Sequence, residues 1–255
     1  MPPHLEKILY HAVPIALRAG GLFSFAPFFG SLSIPVRVRA VLLVAITAVL
    51  YPVCPVPSLD LSLWNWTRIA LAETALGLGL GLCLQFAFEA AQLAGALAGF
   101  QFSFSLVNII DPQTNVDTPV LANFYQLVAL LLFVQMDVHH WLLRGLAKSF
   151  VYVPIGSVVM QAATMKELFR DATGMWLAGV QIAAPVLLAT MLLDLTIGFV
   201  SKAAPQMPAI FLSIPLKSML GYAVLAIGVG LWPGVFEKQF GAALGWSERV
   251  LHLAH

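Results

Sequence analysis

Three acidic residues lie inside long apolar stretches of this sequence, where a carboxylate could carry a proton or an ion across a membrane. Glu73 and Glu89 fall within one apolar pattern, and Asp194 falls within another. An ionisable group at membrane depth is costly, so it marks either a transport pathway or a paired, structural charge. The structural alternative for Glu73 is pairing with Arg18, with Arg68 or with a partner subunit.

Arg18 is a charge of the opposite sign in the middle of an apolar segment from Ile8 to Phe29. A charged side chain at the centre of a lipid-facing helix costs about 2.5–3.5 kcal/mol on insertion scales. We therefore expect Arg18 to face protein or water. Pairing with a carboxylate of a neighbouring helix is the simplest way to achieve this.

A second polar group combines Asp137 with His139 and His140. These are metal-ligand residue types, but adjacent histidines are expected to point in different directions on a helix, and no third histidine lies nearby. The sequence therefore predicts no metal site, and the group is interpreted as a polar cap at a helix end. Cys54 and Cys83 form neither a zinc motif nor a CxxC pair and are interpreted as core thiols.

Motifs of the common enzyme classes are absent from the sequence. It has no nucleophile elbow, HExxH motif, phosphate-binding glycine loop or dinucleotide fingerprint. A run of Lys and Arg that would bind nucleic acid is also absent. We therefore expect no catalytic residue, no cofactor and no nucleic-acid partner.

Composition defines the class of protein. The 255 residues are 60% hydrophobic and only 10% charged, with a mean hydropathy of +0.90. Soluble domains carry about a quarter charged residues, so the sequence predicts an all-α, membrane-associated protein. The N-terminal stretch lacks the basic start and small-residue cleavage site of a signal peptide and is expected to begin the first helix.

Six apolar segments are expected to form long helices: Ile8 to Phe29, Ala40 to Val56, Ile69 to Gly99, Pro119 to Leu143, Ala172 to Val200 and Leu216 to Phe236. Taken as simple crossings, they place Arg37 and Arg39 on the same side as Asp111 and Asp117, with other basic residues opposite. The positive-inside rule then gives no consistent orientation. Either the number of crossings is wrong or partner subunits shield the helices from lipid, and we favour the second explanation.

Small residues recur at helical spacing along the third segment. Gly77 and Gly81 continue the four-residue register of Glu73, and Gly95 and Gly99 repeat that spacing further on. Such small-xxx-small faces let helix backbones approach closely within a membrane protein. These positions are therefore predicted to pack helices together.

The stretch from Gly95 to Leu121 departs from the helical pattern. Its apolar residues lead into a polar turn that holds Asp111, Pro112 and Pro119. A proline-rich polar loop between two membrane-length arms must lie at a membrane surface, in a water-filled cavity or buried in protein. A second proline-rich stretch, from Lys202 to Lys217, is expected to form a hairpin.

Five stretches taken in order resemble the flagellar biosynthesis protein FliR family, a relative of the T component of injectisome export gates. They are APFFGSLSIPVRVRAVL from Ala26, the long helix with Glu73 and its glycines, GFQFSFSLVNIIDPQTNVDTPVL from Gly99, HHWLLRGLAKSFVYVPIG from His139 and APQMPAIFLSIPLK from Ala204. The resemblance spans nearly the whole chain. The PQM and PLK stretches favour the flagellar lineage.

The resemblance implies a core subunit of the flagellar type III protein export gate, located in the bacterial inner membrane at the flagellar basal body. In that family one copy joins several copies of the P and Q subunits in a closed helical pore for unfolded export substrates. The B export-switch protein and the A protein of the apparatus are further implied partners. The implied fold is a P-like helical part, residues 1–200, followed by a Q-like helical hairpin and tail, residues 201–255.

The resemblance also implies two functional regions. The loop matching the family's pore plug would contribute Phe102, Phe104, Leu106, Val107, Ile109, Ile110, Asp111, Pro112 and Pro119. The hairpin near the cytoplasmic entrance, where the B protein would bind, would contribute Lys202, Pro205, Gln206, Pro215 and Lys217. Bulky apolar residues in a constriction exclude water and ions, which suits a plug. The alternative function is a small secondary transporter that uses Glu73, Glu89 and Asp194.

Overall fold

The computed structural model describes residues 3–27, 29–30, 34–54, 62–102, 120–158, 162–206 and 209–253. These residues form α-helices and connecting turns, with no strand among them. The helices are α1 Pro3–Phe25, α2 Val36–Leu50, α3 Leu63–Gln101, α4 Val120–Gln135, α5 Val138–Tyr152, α6 Ala162–Ala203, α7 Ala209–Gly228 and α8 Trp232–Leu253, with a 3-10 turn at Val229–Leu231. The predicted all-α fold is confirmed.

Helix α3 is longer than one bilayer crossing requires. It contains 39 residues and includes the whole predicted segment from Ile69 to Gly99. At 1.5 Å per residue it is about 58 Å long, whereas the hydrocarbon core of a bilayer is about 30 Å thick. Helix α2 begins directly after Pro35, four residues before the predicted start at Ala40, because proline is tolerated before the first helical turn but not within a helix.

The predicted single helix from Pro119 to Leu143 is wrong, because the chain breaks at Asp137. Helix α4 ends at Gln135 and α5 begins at Val138, and the two axes differ by 67°. Asp137 has φ 57°, the only positive φ of a non-glycine residue within the described ranges. A residue in the left-handed region cannot continue a right-handed helix, which explains the break.

The turn within the second proline-rich stretch is shorter than the hairpin that the sequence predicts from Lys202 to Lys217. Helix α6 runs for 42 residues to Ala203, and α7 already begins at Ala209. Pro215 therefore lies inside α7 and does not shape the turn. Pro215 lies on the exposed side of the helix, where the missing backbone N–H costs one hydrogen bond.

By length and composition, three helical stretches of the described chain can cross a membrane: Leu63–Gln101, Ala162–Ala203 and Phe211–Gly245. The bent pair of α4 and α5 would make a fourth. Fewer helices than the six apolar segments therefore have the length and composition of a crossing among the described residues. Helix α2, with 15 residues, is shorter than the roughly 20 residues that a crossing needs.

The chain forms two compact units, each built from separated segments. The first unit contains Met1–Ala87, Phe133–Thr173 and Phe240–His255, and the second contains Phe88–Leu132 and Gly174–Gln239. The division into a P-like part up to residue 200 and a Q-like hairpin stays a prediction.

In the first unit, α1 crosses α3 at short distance because glycines face backbone atoms of the other helix. A Cβ added at Gly77 would overlap the carbonyl oxygen of Arg18, and one added at Gly81 would lie 2.6 Å from the carbonyl oxygen of Leu22. A Cβ added at Gly79, on the same helix, would have no neighbouring atom within 4 Å. The crossing thus depends on two particular glycines of α3.

Replacing Gly77 by Ala is expected to lower the free energy of unfolding by about 1–3 kcal/mol, because the added methyl group forces the two backbones apart. Gly79→Ala is the matched control, and it should be neutral or stabilising by about 0.5–1 kcal/mol, since alanine suits a helix better than glycine. Thermal unfolding of the two purified variants in detergent measures the difference. Equal stabilities would contradict the close crossing.

Candidate functional site

A fully buried polar cluster lies in the first unit, where α1, α3 and α5 meet. The side chains of Arg18, Glu73 and Ser149 are 0% exposed. The guanidinium of Arg18 donates from Nε to Glu73 Oε2 at 2.6 Å and from Nη1 to Ser149 Oγ at 3.1 Å. Its Nη2 donates to the carbonyl oxygen of Val153 at 3.0 Å. The predicted pairing of Arg18 with a carboxylate of another helix is confirmed.

The carboxylate of Glu73 has a partner on each oxygen. Oε2 accepts from Arg18, and Oε1 accepts from the backbone N–H of Gly156 at 3.1 Å. Gly156 has φ 84°, a conformation that glycine adopts without strain, and this turns its N–H toward the carboxylate. The turn after α5 is thereby fixed to α3.

An aromatic ring completes the enclosure of Arg18. The guanidinium carbon lies 4.2 Å from the centroid of the Phe150 ring, which is itself buried. A cation over an aromatic face is stabilised most when water is excluded, as it is here. Sequence reasoning did not foresee Ser149, Phe150, Val153 or Gly156. The only sequence signal is the pair Pro154 and Gly156, two residue types that tend to end a helix.

Two of the three carboxylates considered for transport, Glu73 and Asp194, are paired with cations. Glu73 is buried against Arg18, and in the second unit Asp194 of α6 lies 2.7 Å from Lys217 of α7. Glu89 is half-buried on α3. A proton-carrying carboxylate has to exchange protons with water, whereas Glu73 is fully enclosed and both of its oxygens are bonded. The geometry of Glu73 is that of a structural ion pair.

The two ends of the predicted plug loop are described, although the loop itself is not. Of the nine predicted plug residues only Phe102 is described, and Phe104, Leu106, Val107, Ile109, Ile110, Asp111, Pro112 and Pro119 lie outside the described residues. Phe102 directly follows α3, and Val120 begins α4. The contacts of these two ends show how the loop is attached.

Phe102 is anchored to α7 in the second unit. Its side chain is only 2% exposed, and its ring centroid lies 5.2 Å from that of Tyr222. The hydroxyl of Ser218 donates to the carbonyl oxygen of Phe102 at 3.2 Å. The Phe102 ring also fills the space that a Cβ of Gly221 would occupy. One turn of α7 therefore forms a notch for this ring.

The other end of the loop packs against α3. A Cβ added at Gly95 would lie 2.5 Å from the Cα of Ala122 and from the carbonyl oxygen of Leu121. At Gly99 the packing is looser, because an added Cβ would lie 3.8 Å from the Leu121 Cβ, which is an ordinary van der Waals distance. Both Leu121 and Ala122 are buried. The described residues on both sides of 103–119 are thus packed against neighbouring helices.

The predicted entrance residues separate into two groups. Lys202, Pro205 and Gln206 are exposed at the end of α6 and in the turn that follows it. Lys217 is half-buried and paired with Asp194, so its amino group is directed to α6. The first group is available to a partner, whereas Lys217 fixes the pairing of the two helices.

The histidine cluster is closer together than the sequence predicts. The ring centroids of His139 and His140 are 4.1 Å apart, and ligand atoms of both residues and of Asp137 all lie within 4.8 Å of one another. The expectation that the two side chains diverge is therefore wrong. The predicted position of this group at a helix end is confirmed, because Asp137 is the N-cap residue of α5, but its side chain makes no capping hydrogen bond.

Both cysteines are buried and free, as expected for core thiols. Burial raises the pKa of the Cys54 thiol to about 11, although the nearby positive charge of Arg18 opposes the shift. The thiolate is the reactive form, so Cys54 is neutral and inert near neutral pH.

The fold and the buried ion pair define a helical membrane protein that is held together by internal polar contacts. Residues 9–243 match the family model described as bacterial export proteins, family 1, and the chain belongs to this family. The resemblance to FliR drawn from five sequence stretches is thereby confirmed. The family and its named flagellar members indicate a component of the flagellar export apparatus.

Three relatives illustrate the extent of the similarity. Flagellar biosynthetic protein FliR of Escherichia coli K12 is 30% identical over 210 residues, which cover 82% of this chain and 80% of that protein. FliR of Bacillus subtilis 168 is 28% identical over 243 residues, or 94% and 93% of the two chains. FliR of Aquifex aeolicus is 28% identical over 220 residues, or 86% and 84%.

Replacing Glu73 by Gln is expected to lower the free energy of unfolding by about 3–5 kcal/mol, because Arg18 stays buried without its counter-charge. Glu237→Gln is the matched control, since Glu237 is exposed on α8, and its effect should stay within about 0.5 kcal/mol. Thermal unfolding of the purified chain in detergent measures both. If the two variants unfolded at the same temperature, the ion pair would not be the central contact.

Proposed function

We propose that this chain is a core subunit of the flagellar type III protein export gate and that it helps both to form and to plug the channel for unfolded flagellar substrates. Its proposed site is the bacterial inner membrane at the flagellar basal body. The proposed partners are the P and Q subunits, the B export-switch protein and the A protein of the apparatus. The role is structural, and other components supply the energy for export.

The length of α6 supports a role within an assembly. Forty-two residues at 1.5 Å per residue give about 63 Å, and a tilt of 40° still leaves about 48 Å along the membrane normal. Large apolar side chains are exposed along it, including Phe169 at 72%, Leu188 at 62% and Phe199 at 74%. A hydrocarbon core of about 30 Å cannot cover this whole surface, so partner subunits are the natural cover for the remainder.

The observation that carries the plugging role is the attachment of residues 103–119. A plug must be displaceable without unfolding the helices that carry it, and it must return to the same place. Phe102 is held in the Gly221 notch, and Leu121 and Ala122 are packed beside Gly95. A segment whose flanking residues are packed and whose first part, up to Ile110, is rich in apolar residues suits this task, because bulky apolar residues in a constriction exclude water and ions.

Co-expression with the P and Q subunits tests the assembly. The detergent-extracted material is expected to run as one large complex with a single copy of this chain, because its exposed apolar surface is then covered. Native mass spectrometry gives the mass and the copy number, and expression of this chain alone is the control. A monodisperse monomer or dimer that ignores both partners would overturn the assembly and favour a self-contained transporter.

Loss of the Phe102 anchor tests the plug separately. Phe102→Ala empties the Gly221 notch and should raise the ion conductance of membranes that contain the assembled gate, because the loop is held at one end only. Phe100→Ala is the matched control, since Phe100 lies two residues earlier on α3 and is 73% exposed.

Deleting residues 108–116 should give a larger conductance than Phe102→Ala while the assembly stays intact. The measurement is the current across planar bilayers that contain the purified complex. A deletion that left both the assembly and the conductance unchanged would remove the plugging role but not the role as a gate subunit.

A further inference from the structure

The geometry points to a site for a divalent transition-metal ion at the bend between α4 and α5, with Asp137, His139 and His140 as ligands. The inference does not rest on the proposed function. Its basis is the local geometry of three neighbouring side chains in the first unit.

The distances fit a metal centre. Asp137 Oδ1 lies 3.1 Å from His140 Nδ1 and 3.9 Å from His139 Nε2. Ligand atoms of a tetrahedral zinc site with bonds of about 2.1 Å lie about 3.4 Å apart. The two distances are on either side of this value, so small side-chain rotations would place one ion in contact with all three residues. Water can supply the fourth ligand, because Asp137 and His140 are 67% and 58% exposed.

The ligand types select the class of metal. Two imidazoles and one carboxylate suit Zn²⁺ and its neighbours Ni²⁺ and Cu²⁺. Ca²⁺ and Mg²⁺ prefer six or more oxygen ligands, which this cluster does not offer. The cluster is therefore expected to discriminate between these two classes of cation.

Two features of the backbone and side chains suit a bound ion. Asp137 adopts a left-handed conformation, yet its carboxylate makes no capping hydrogen bond to the backbone of α5. The two imidazole rings lie 4.1 Å apart beside that carboxylate, and His140 Nδ1 is within hydrogen-bonding distance of Asp137 Oδ1. A cation would take the place of this hydrogen bond and hold the bend.

Zinc binding to the full-length chain tests the site. The chain is purified in detergent with an affinity tag that contains no histidine, stripped of metal, and titrated with Zn²⁺ in competition with a chromophoric chelator. We expect one Zn²⁺ per chain, and a Kd that is raised at least about 10-fold in His139→Gln and in His140→Gln, because each variant removes a ligand. Mg²⁺ should not compete. His252→Gln is the matched control and should bind as the unmodified chain does.

Two further measurements keep the test decisive. Asp137→Asn retains the size of the side chain and a residue type that tolerates the left-handed conformation, so it tests the carboxylate even if the histidine variants unfold. Co²⁺ bound in place of Zn²⁺ should give the visible absorption of a four-coordinate site, and this absorption should be lost in Asp137→Asn. Absence of Zn²⁺ binding by the unmodified chain would overturn the inference. Equal affinity of the unmodified chain and the Asp137→Asn and His140→Gln variants would overturn it as well.

Discussion

The guanidinium of Arg18 is enclosed on every side, and its burial imposes the main constraint on the first unit. An unpaired charge in such a place would cost several kcal/mol, so its partners must be held at fixed positions. They come from α3, from α5 and from the turn after α5, through Glu73, Ser149 and the carbonyl oxygen of Val153. The requirement explains why α1 and α3 cross so closely that Gly77 meets the backbone of Arg18. An ion pair such as Arg18 and Glu73 can add little to the free energy of unfolding and still select one packing of α1, α3 and α5. Other packings of these helices would leave a charge unpaired in an apolar medium.

Much of this arrangement could be predicted from the sequence. The contacts that could not be predicted involve backbone groups and backbone conformation. Long apolar runs identify helices, and a lone Arg18 in such a run predicts a carboxylate partner such as Glu73. The other partners of the pair could not be predicted, because a backbone carbonyl at Val153 and an N–H at Gly156 have no signature in side-chain type. The segment from Pro119 to Leu143 was predicted as continuous through Asp137 for a related reason, although the polar group there was interpreted as a helix end. The break depends on one residue in a left-handed conformation, and neither glycine nor proline marks the position.

The attachment of Phe102 illustrates a second limit of sequence reasoning. A phenylalanine in an apolar run suits lipid, a partner or a core equally well, and only its contacts distinguish these cases. Here the notch is made by Gly221, more than a hundred positions further along the chain, with Tyr222 and Ser218 beside it. Glycine at that point has little to do with backbone flexibility. It provides room for an aromatic ring, and the same principle operates at Gly95 and Gly77, where the neighbour is a backbone.

The ion pairs also bear on the difference between a carrier and a gate. A carrier has to bind and release its ion in each cycle, so its carboxylates need access to water and a change of partner. Glu73 has no exposed surface, and both of its oxygens are bonded to groups of the protein. Asp194 and Lys217 join α6 to α7 directly. Charges paired in this way fix the register of long apolar helices against one another, and a fixed pairing is the opposite of the exchange of partners that a carrier requires.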